Sequence, residues 1–285
     1  MIFGLVAALG WGLADFGGAV AGRRIGSLAT VLVSQALNGV VMTVLLVAGH
    51  HQVGVLGPYL GFVVLNGIAS AGAYVAHYRA LELGPVAIVS PVGATYAVVG
   101  VVLAVIVLGE RPGGLALAGG LVTVGGVMLA STDLRKVEET VHRERPAGLP
   151  WAIASALLFG IGGFLLGYLS RRVGWVMGLW ASRMAQLTVF ALFALSRRAD
   201  ARRGVGFNRG TAAALGVGVA DLLGVVAYSS GAVSGFISVV LAASAVFPLI
   251  AVVLSIAVLH ERLVPNQYMG IALVILGLLL LVLGN

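Results

Sequence analysis

The chain repeats itself, and the repeat constrains what it can become. Residues 86–112 (VAIVSPVGATYAVVGVVLAVIVLGERP) are an apolar run that stops at Gly109-Glu110-Arg111-Pro112. Residues 236–263 (FISVVLAASAVFPLIAVVLSIAVLHERL) follow the same course and stop at Glu261-Arg262. Tyr78 and Tyr228 precede the two glutamates by 32 and 33 residues, and Arg23-Arg24-Ile25-Gly26 matches Arg171-Arg172-Val173-Gly174. The offsets are 148, 150 and 151, so one half is an adjusted copy of the other.

The medium follows from composition. Of 285 residues, 60% are hydrophobic and 9% charged, against roughly half and a quarter in soluble domains. The apolar residues form runs long enough to cross about 30 Å of hydrocarbon. A polytopic all-α membrane protein is expected. The net charge of +7 reflects arginines gathered in short loops between spans, as membrane orientation demands, so no nucleic-acid partner is implied. Without cysteines, thiolate metal sites and disulfides are excluded; no metal and no cofactor is expected. The first run lacks a basic leader and reads as a mature helix.

Ten transmembrane helices are expected, near 2–20, 29–48, 58–79, 86–108, 114–131, 150–170, 175–196, 210–230, 236–259 and 266–284. A charged linker, 132–149, divides a first five-helix repeat (1–131) from a second (150–285). Five is odd, so two copies of one repeat must face opposite ways. Inverted repeats are the plan of many secondary transporters, with the binding site near the midplane. Loops after odd-numbered spans hold 13 basic residues and loops after even-numbered spans hold 3. The positive-inside rule then puts both termini outside the plasma (inner) membrane.

Trp11-Gly12 in the first span, with Gly-Glu-Arg and His-Glu-Arg after spans four and nine, resembles the EamA-type transporters of the drug/metabolite transporter superfamily. The resemblance covers nearly the whole chain. It implies a ten-helix inverted-repeat carrier whose central cavity is lined by spans one to four and six to nine. It also implies efflux of amino acids, metabolites or drugs, or import of some solutes. Members are commonly drawn with both termini cytoplasmic, opposite to the loop count. Phe159-Gly160 stands in the second repeat where Trp11-Gly12 stands in the first.

A charge at the bilayer centre costs about 2.5–3.5 kcal/mol on insertion scales, so each needs a reason. Asp15, Arg183 and Asp221 lie near span centres. They read either as a substrate or proton site facing a wet cavity, or as a structural pair joining Arg183 to one acid. His77, near an interface, reads as structural. Trp11 and Asp15 are four apart and share a helix face. Gly10, Ala14 and Gly18 beside Asp15, and Gly216, Ala220 and Gly224 beside Asp221, form small-residue stripes that place both acids within a helix bundle.

Span two carries Ser34, Gln35 and Asn38, and span seven carries Ser182, Arg183 and Gln186 at an offset of 148. Each trio occupies one face, suited to lining the cavity. Asn66, Ser70, Tyr74 and His77 or Tyr78 make a polar face along span three, which in lipid must look inward. Spans four, eight and nine add Ser90, Thr95 and Tyr96, Tyr228, and Ser244, with Pro91 and Pro248 able to free a backbone carbonyl. Glu110-Arg111 and Glu261-Arg262 sit at span ends, where charge meets headgroups or caps a neighbouring helix, and read as structural.

The residues therefore predict a secondary transporter of a small organic metabolite or drug, working by alternating access in the lipid bilayer. Proton exchange at Asp15 or Asp221 is the expected driving step, with export the expected direction. A passive facilitator is the alternative, and an intramembrane enzyme on a lipid-linked substrate a weaker one, since the spans offer no clustered acids or nucleophile pair. No GxxxxGK[ST] loop is present, so ATP hydrolysis is not the power source. Substrate identity and oligomeric state stay open.

Overall fold

A backbone in hydrocarbon has no water to bond, so each apolar run must satisfy its own amides as a helix. The structure, a computed structural model, describes residues 1–83, 92–132, 134, 147–196, 206, 208–250, 253–254 and 264–284. Ten α-helices are found among the described residues. They are α1 (Ile2–Ile25), α2 (Ser27–Ala48), α3 (Leu60–Leu83), α4 (Tyr96–Leu108) and α5 (Gly114–Ala130), then α6 (Leu149–Val173), α7 (Trp175–Ser196), α8 (Arg209–Ser234), α9 (Ile237–Ser244) and α10 (Pro265–Leu283). A 3₁₀ turn, Val53–Tyr59, leads into α3.

Six of these segments, those of α1, α2, α3, α6, α8 and α10, are long and apolar enough to cross a membrane. The other four expected spans depart from a simple apolar rod. Helix α7 has 22 residues but carries Arg183 and Gln186. Helices α4, α5 and α9 have 13, 17 and 8 residues.

Span nine is shorter because it is broken. Helix α9 stops at Ser244, residues 245 and 246 form a turn, and helix resumes at Phe247. Pro248 explains the break. In a continuous helix its ring would meet the carbonyl of residue 244, whereas the first turn of a new segment accepts it. The first repeat turns at the equivalent residue, Thr95, whose Oγ1 donates to the Val92 carbonyl at 2.7 Å. Ser90, Pro91, Glu261, Arg262, most of the linker 132–149 and most of the loop 197–209 lie outside the described residues.

The more extensive helix contacts come in pairs. Helix α1 packs on α8 as α3 packs on α6; α2 meets α8 as α7 meets α3; α9 meets α1 as α4 meets α6. Contacts α5–α10, α2–α7 and α4–α9 are their own counterparts. Exchanging the first five helices with the last five maps these contacts onto one another, whereas α6–α8, α7–α8, α5–α9 and α8–α9 have no counterpart of similar extent among the described residues. Local geometry repeats as well. Gly26 ends α1 at φ 84°, ψ 152°, and Gly174 ends α6 at φ 83°, ψ 152°. That backbone region is essentially closed to residues with a Cβ, which is why both copies of the Arg-Arg motif end in glycine.

Candidate functional site

The site is built where α1 crosses α8. A Cβ on Gly10 would stand 2.6 Å from the Gly224 nitrogen and 2.7 Å from the Ala220 carbonyl, so only glycine lets these backbones come so close. Gly224 in turn makes room for Trp11, whose Cδ1 would lie 2.6 Å from a Cβ there. Trp11 meets Tyr96 edge-on with ring centroids 6.5 Å apart and leans on Tyr228 at 5.8 Å. Tyr96 also packs on Phe247 at 6.0 Å, and its hydroxyl shares a 2.9 Å hydrogen bond with Ser244 Oγ. The Tyr228 hydroxyl donates to the Gly163 carbonyl at 2.7 Å. The aromatic wall thus joins both repeats, and the helix turns at Thr95 and 245–246 bring Tyr96 and Phe247 into it.

One helical turn beyond Trp11 stands Asp15. Its side chain is exposed. It lies within Coulombic reach of Asp221 and Tyr96 and makes no hydrogen bond among the described residues.

Asp221 is placed differently. Its Oδ2 accepts from Asn38 Nδ2 at 2.7 Å, Arg183 Nη2 at 3.0 Å and Gln35 Nε2 at 3.1 Å. Arg183 Nη1 donates to the side-chain oxygens of Gln35 and Gln186. All five residues are buried; Gln35, Asn38 and Arg183 of the two polar trios meet at Asp221 and Gln186 holds Arg183, whereas Ser34 and Ser182 donate to the Val31 and Gly178 carbonyls of their own helices. The pair Arg183–Asp221 is neutral overall, and its amides complete most of its bonding. Asn38 Oδ1, Arg183 Nε and Gln186 Nε2 have no partner, and Asp221 Oδ1 accepts none of these bonds. Such a network ties α2 of one repeat to α7 and α8 of the other.

Of the 13 expected site residues, Trp11, Asp15, Gln35, Asn38, Tyr96, Arg183, Gln186, Asp221, Tyr228 and Ser244 fall into this connected centre. The polar face of α3 goes elsewhere. Asn66 Nδ2 donates to the Gly162 carbonyl at 2.7 Å, Ser70 lies against Gly162, and Tyr74 packs on Phe159 at 5.1 Å. Those three serve the α3–α6 contact. It is the counterpart of α1–α8, with Phe159 in the place of Trp11. From the sequence Phe159 stands out only as the counterpart of Trp11, and Phe247 does not stand out. The signal was available, since they lie 148 and 151 residues after Trp11 and Tyr96.

Glu110 is a cap. Its carboxylate accepts from the amides of Ile237 and Ser238 at 2.9 and 3.0 Å and from Ser238 Oγ at 2.7 Å, satisfying the N-terminus of α9. Arg171 pairs with it at 2.8 Å and donates to the carbonyls of Ala232 and Gly235. Arg111 is exposed. Two apolar grooves, of about 340 and 370 Å³, lie between α4, α5, α9 and α10 and between α3, α6 and α7. None of the 13 expected residues lines them, and their walls are aliphatic and aromatic, suited to lipid.

These features define a multi-pass helical membrane protein with a polar site at the contact of two structurally matched halves. The profile of the EamA-like transporter family matches residues 1–132 and 146–283. The chain belongs to that family, within the drug/metabolite transporter superfamily, and is a membrane transporter of small solutes. No curated protein matches it. Among 29 matching solved chains, one crystal structure is similar at a TM-score of 0.76 and 18% identity, over 100% of this chain and 97% of that one. That likeness concerns the fold.

Proposed function

We propose that the chain is a secondary carrier of ten membrane spans. Residues 1–131 and 150–285 are inverted repeats joined by the linker 132–149, and they rock about a midplane cavity to export a small organic solute in exchange for protons. The exchange symmetry of the helix contacts supports the repeats. An odd number of spans in each sets them in opposite orientations. The single observation that carries the reading is Asp15, an exposed carboxylate at a span centre without a hydrogen-bond partner among the described residues.

Of the two acids expected to exchange protons, Asp15 is the one supported. A group held by no described neighbour can trade its proton for a solute without dismantling the fold. Asp221 is already committed to Arg183 and two amides. The experiment is flux in proteoliposomes loaded with a pH-reporting dye, challenged with amino acids, nucleosides and cationic dyes. Solute entry should coincide with proton exit, accumulate solute against its gradient, and stop in Asp15→Asn. Flux that only runs downhill, with no proton movement, would establish a facilitator instead.

A further inference from the structure

We infer that Glu110 and Arg171 form a reversible latch that holds one end of the bundle shut, a conformational role that rests on the carrier reading above. Glu110 is the contribution of the first repeat. Its carboxylate accepts from the leading amides of α9 and pairs with Arg171 of α6 at 2.8 Å. Arg171 in turn donates to the carbonyls of Ala232 and Gly235, where α8 ends. Three helices of the second repeat are thus gathered on one residue of the first. They meet at the C-terminal ends of α6 and α8 and the N-terminus of α9.

The first repeat is not gathered in this way. Helix α8 lies against α6 and α7, whereas its counterpart α3 makes no contact of similar extent with α1 or α2. The close pairings α1–α8 and α3–α6 are matched, so the difference is one of conformation within each repeat. Arg171 and Arg23 occupy equivalent places, 148 residues apart. The Arg171 side chain is paired and 28% exposed. Arg23 is exposed, and its side chain makes no ion pair or hydrogen bond among the described residues. One end of the bundle is closed and the other is splayed. Inverted repeats that trade conformations would trade the two ends.

The pair at Glu110 is suited to opening. Its bonds exist in one state only, so they bias the equilibrium by their own strength. Release costs little at this depth, because an arginine near a helix end can turn to headgroups and water. Arg23 already stands in that setting. The central pair Arg183–Asp221 is held differently, since each side chain is 7% exposed and release would strand a charge inside the bundle.

Cysteine pairs can report both ends in a chain with no cysteine of its own. Arg172→Cys/Val233→Cys spans the ends of α6 and α8. Arg24→Cys/Leu83→Cys spans the equivalent ends of α1 and α3, and all four positions are exposed. Spin labels on the full chain in nanodiscs give each distance by double electron–electron resonance. In Arg171→Gln the α6–α8 distance should gain a component longer by about 5 Å or more, one helical turn. The α1–α3 distance should gain a shorter component of equal weight. The ratio of the two states should change about tenfold or more, the worth of one hydrogen bond to a charged group. Glu110→Gln should shift both ends the same way, and Arg23→Gln should shift neither. Melting curves accompany each variant. If Arg171→Gln is damaged, Arg171→Lys decides, since it keeps the charge but loses the planar fork that spans carboxylate and carbonyls.

Unchanged distances in a folded Arg171→Gln overturn the inference, as do equal shifts in Arg23→Gln. So does a longer α6–α8 distance with the α1–α3 distance fixed, because a cap that merely frays moves one end alone. The carrier reading fails separately. Two ends that exchange without solute flux in proteoliposomes leave the latch and remove the carrier. Driven flux with both distances fixed in Arg171→Gln does the reverse.

Discussion

Removing one partner of the Arg183–Asp221 pair should damage the protein more than removing both. The groups are 3.0 Å apart and each side chain is 7% exposed. At an effective dielectric near 20, unit charges at that distance attract by about 5 kcal/mol. Desolvation of both ions consumes much of this, so the pair's net contribution is small. A single removal is different, because it strands the other charge. In Arg183→Gln, Asp221 keeps Asn38 and Gln35 as donors but loses its counter-ion. In Asp221→Asn, the buried guanidinium keeps only the oxygens of Gln35 and Gln186. Breaking buried pairs in soluble proteins costs about 3–5 kcal/mol. For a chain of this length about 2 °C accompanies each kcal/mol, so each single variant should melt roughly 6–10 °C lower. The double variant Arg183→Gln/Asp221→Asn restores neutrality in nearly the same volume and should recover about half or more of that loss. The assay is thermal unfolding in detergent, followed by intrinsic tryptophan fluorescence, as a double-mutant cycle. Losses that simply add would refute the reasoning, since independent costs mean the charges do not compensate each other.

Two further outcomes are expected. Glu110→Gln keeps the shape of the α9 cap but removes the charge that three donors and Arg171 share; melting should fall by an amount equivalent to about 1–3 kcal/mol, and an unchanged melting temperature would show that the cap carries no load. Single cysteines placed in 132–149 or 197–209, in a chain with none of its own, should resist impermeant thiol reagents in intact cells, and labelling from outside would place those loops and both termini on the opposite sides from those the basic-residue count assigns.

The sequence was most informative where one residue type meets one medium. Arg183 and Asp221 could be singled out because a charge in hydrocarbon has few tolerable settings, and the offset of 148 matched Gln35 with Arg183 and Asn38 with Gln186. Which acid the arginine takes was not legible. Asp15 and Asp221 each lie beside a stripe of small residues, and only the packing of α2 and α7 on α8 brings the amides to Asp221 and leaves Asp15 open. The α3 face misled in a related way. Periodicity places Asn66, Ser70 and Tyr74 on one inward face, but inward includes a neighbouring helix, and α6 occupies it. The helix turns were half visible: Pro248 signals an interruption, whereas Thr95 is an ordinary helix residue until tertiary packing turns it.

The matching glycine turns at Gly26 and Gly174 bear on how the chain settles in a membrane. Each follows an arginine pair in the last turn of its helix, Arg23-Arg24 and Arg171-Arg172. With the halves oppositely oriented, as proposed above, these pairs sit at opposite faces of the bilayer, and their pulls on insertion cancel. The most strongly basic motif that the two halves share therefore has no vote on which way the protein faces. That decision falls to the unmatched arginines and lysine of the linker 132–149 and the loop 197–209, and editing those few residues should turn the whole transporter over while leaving every helix contact in place.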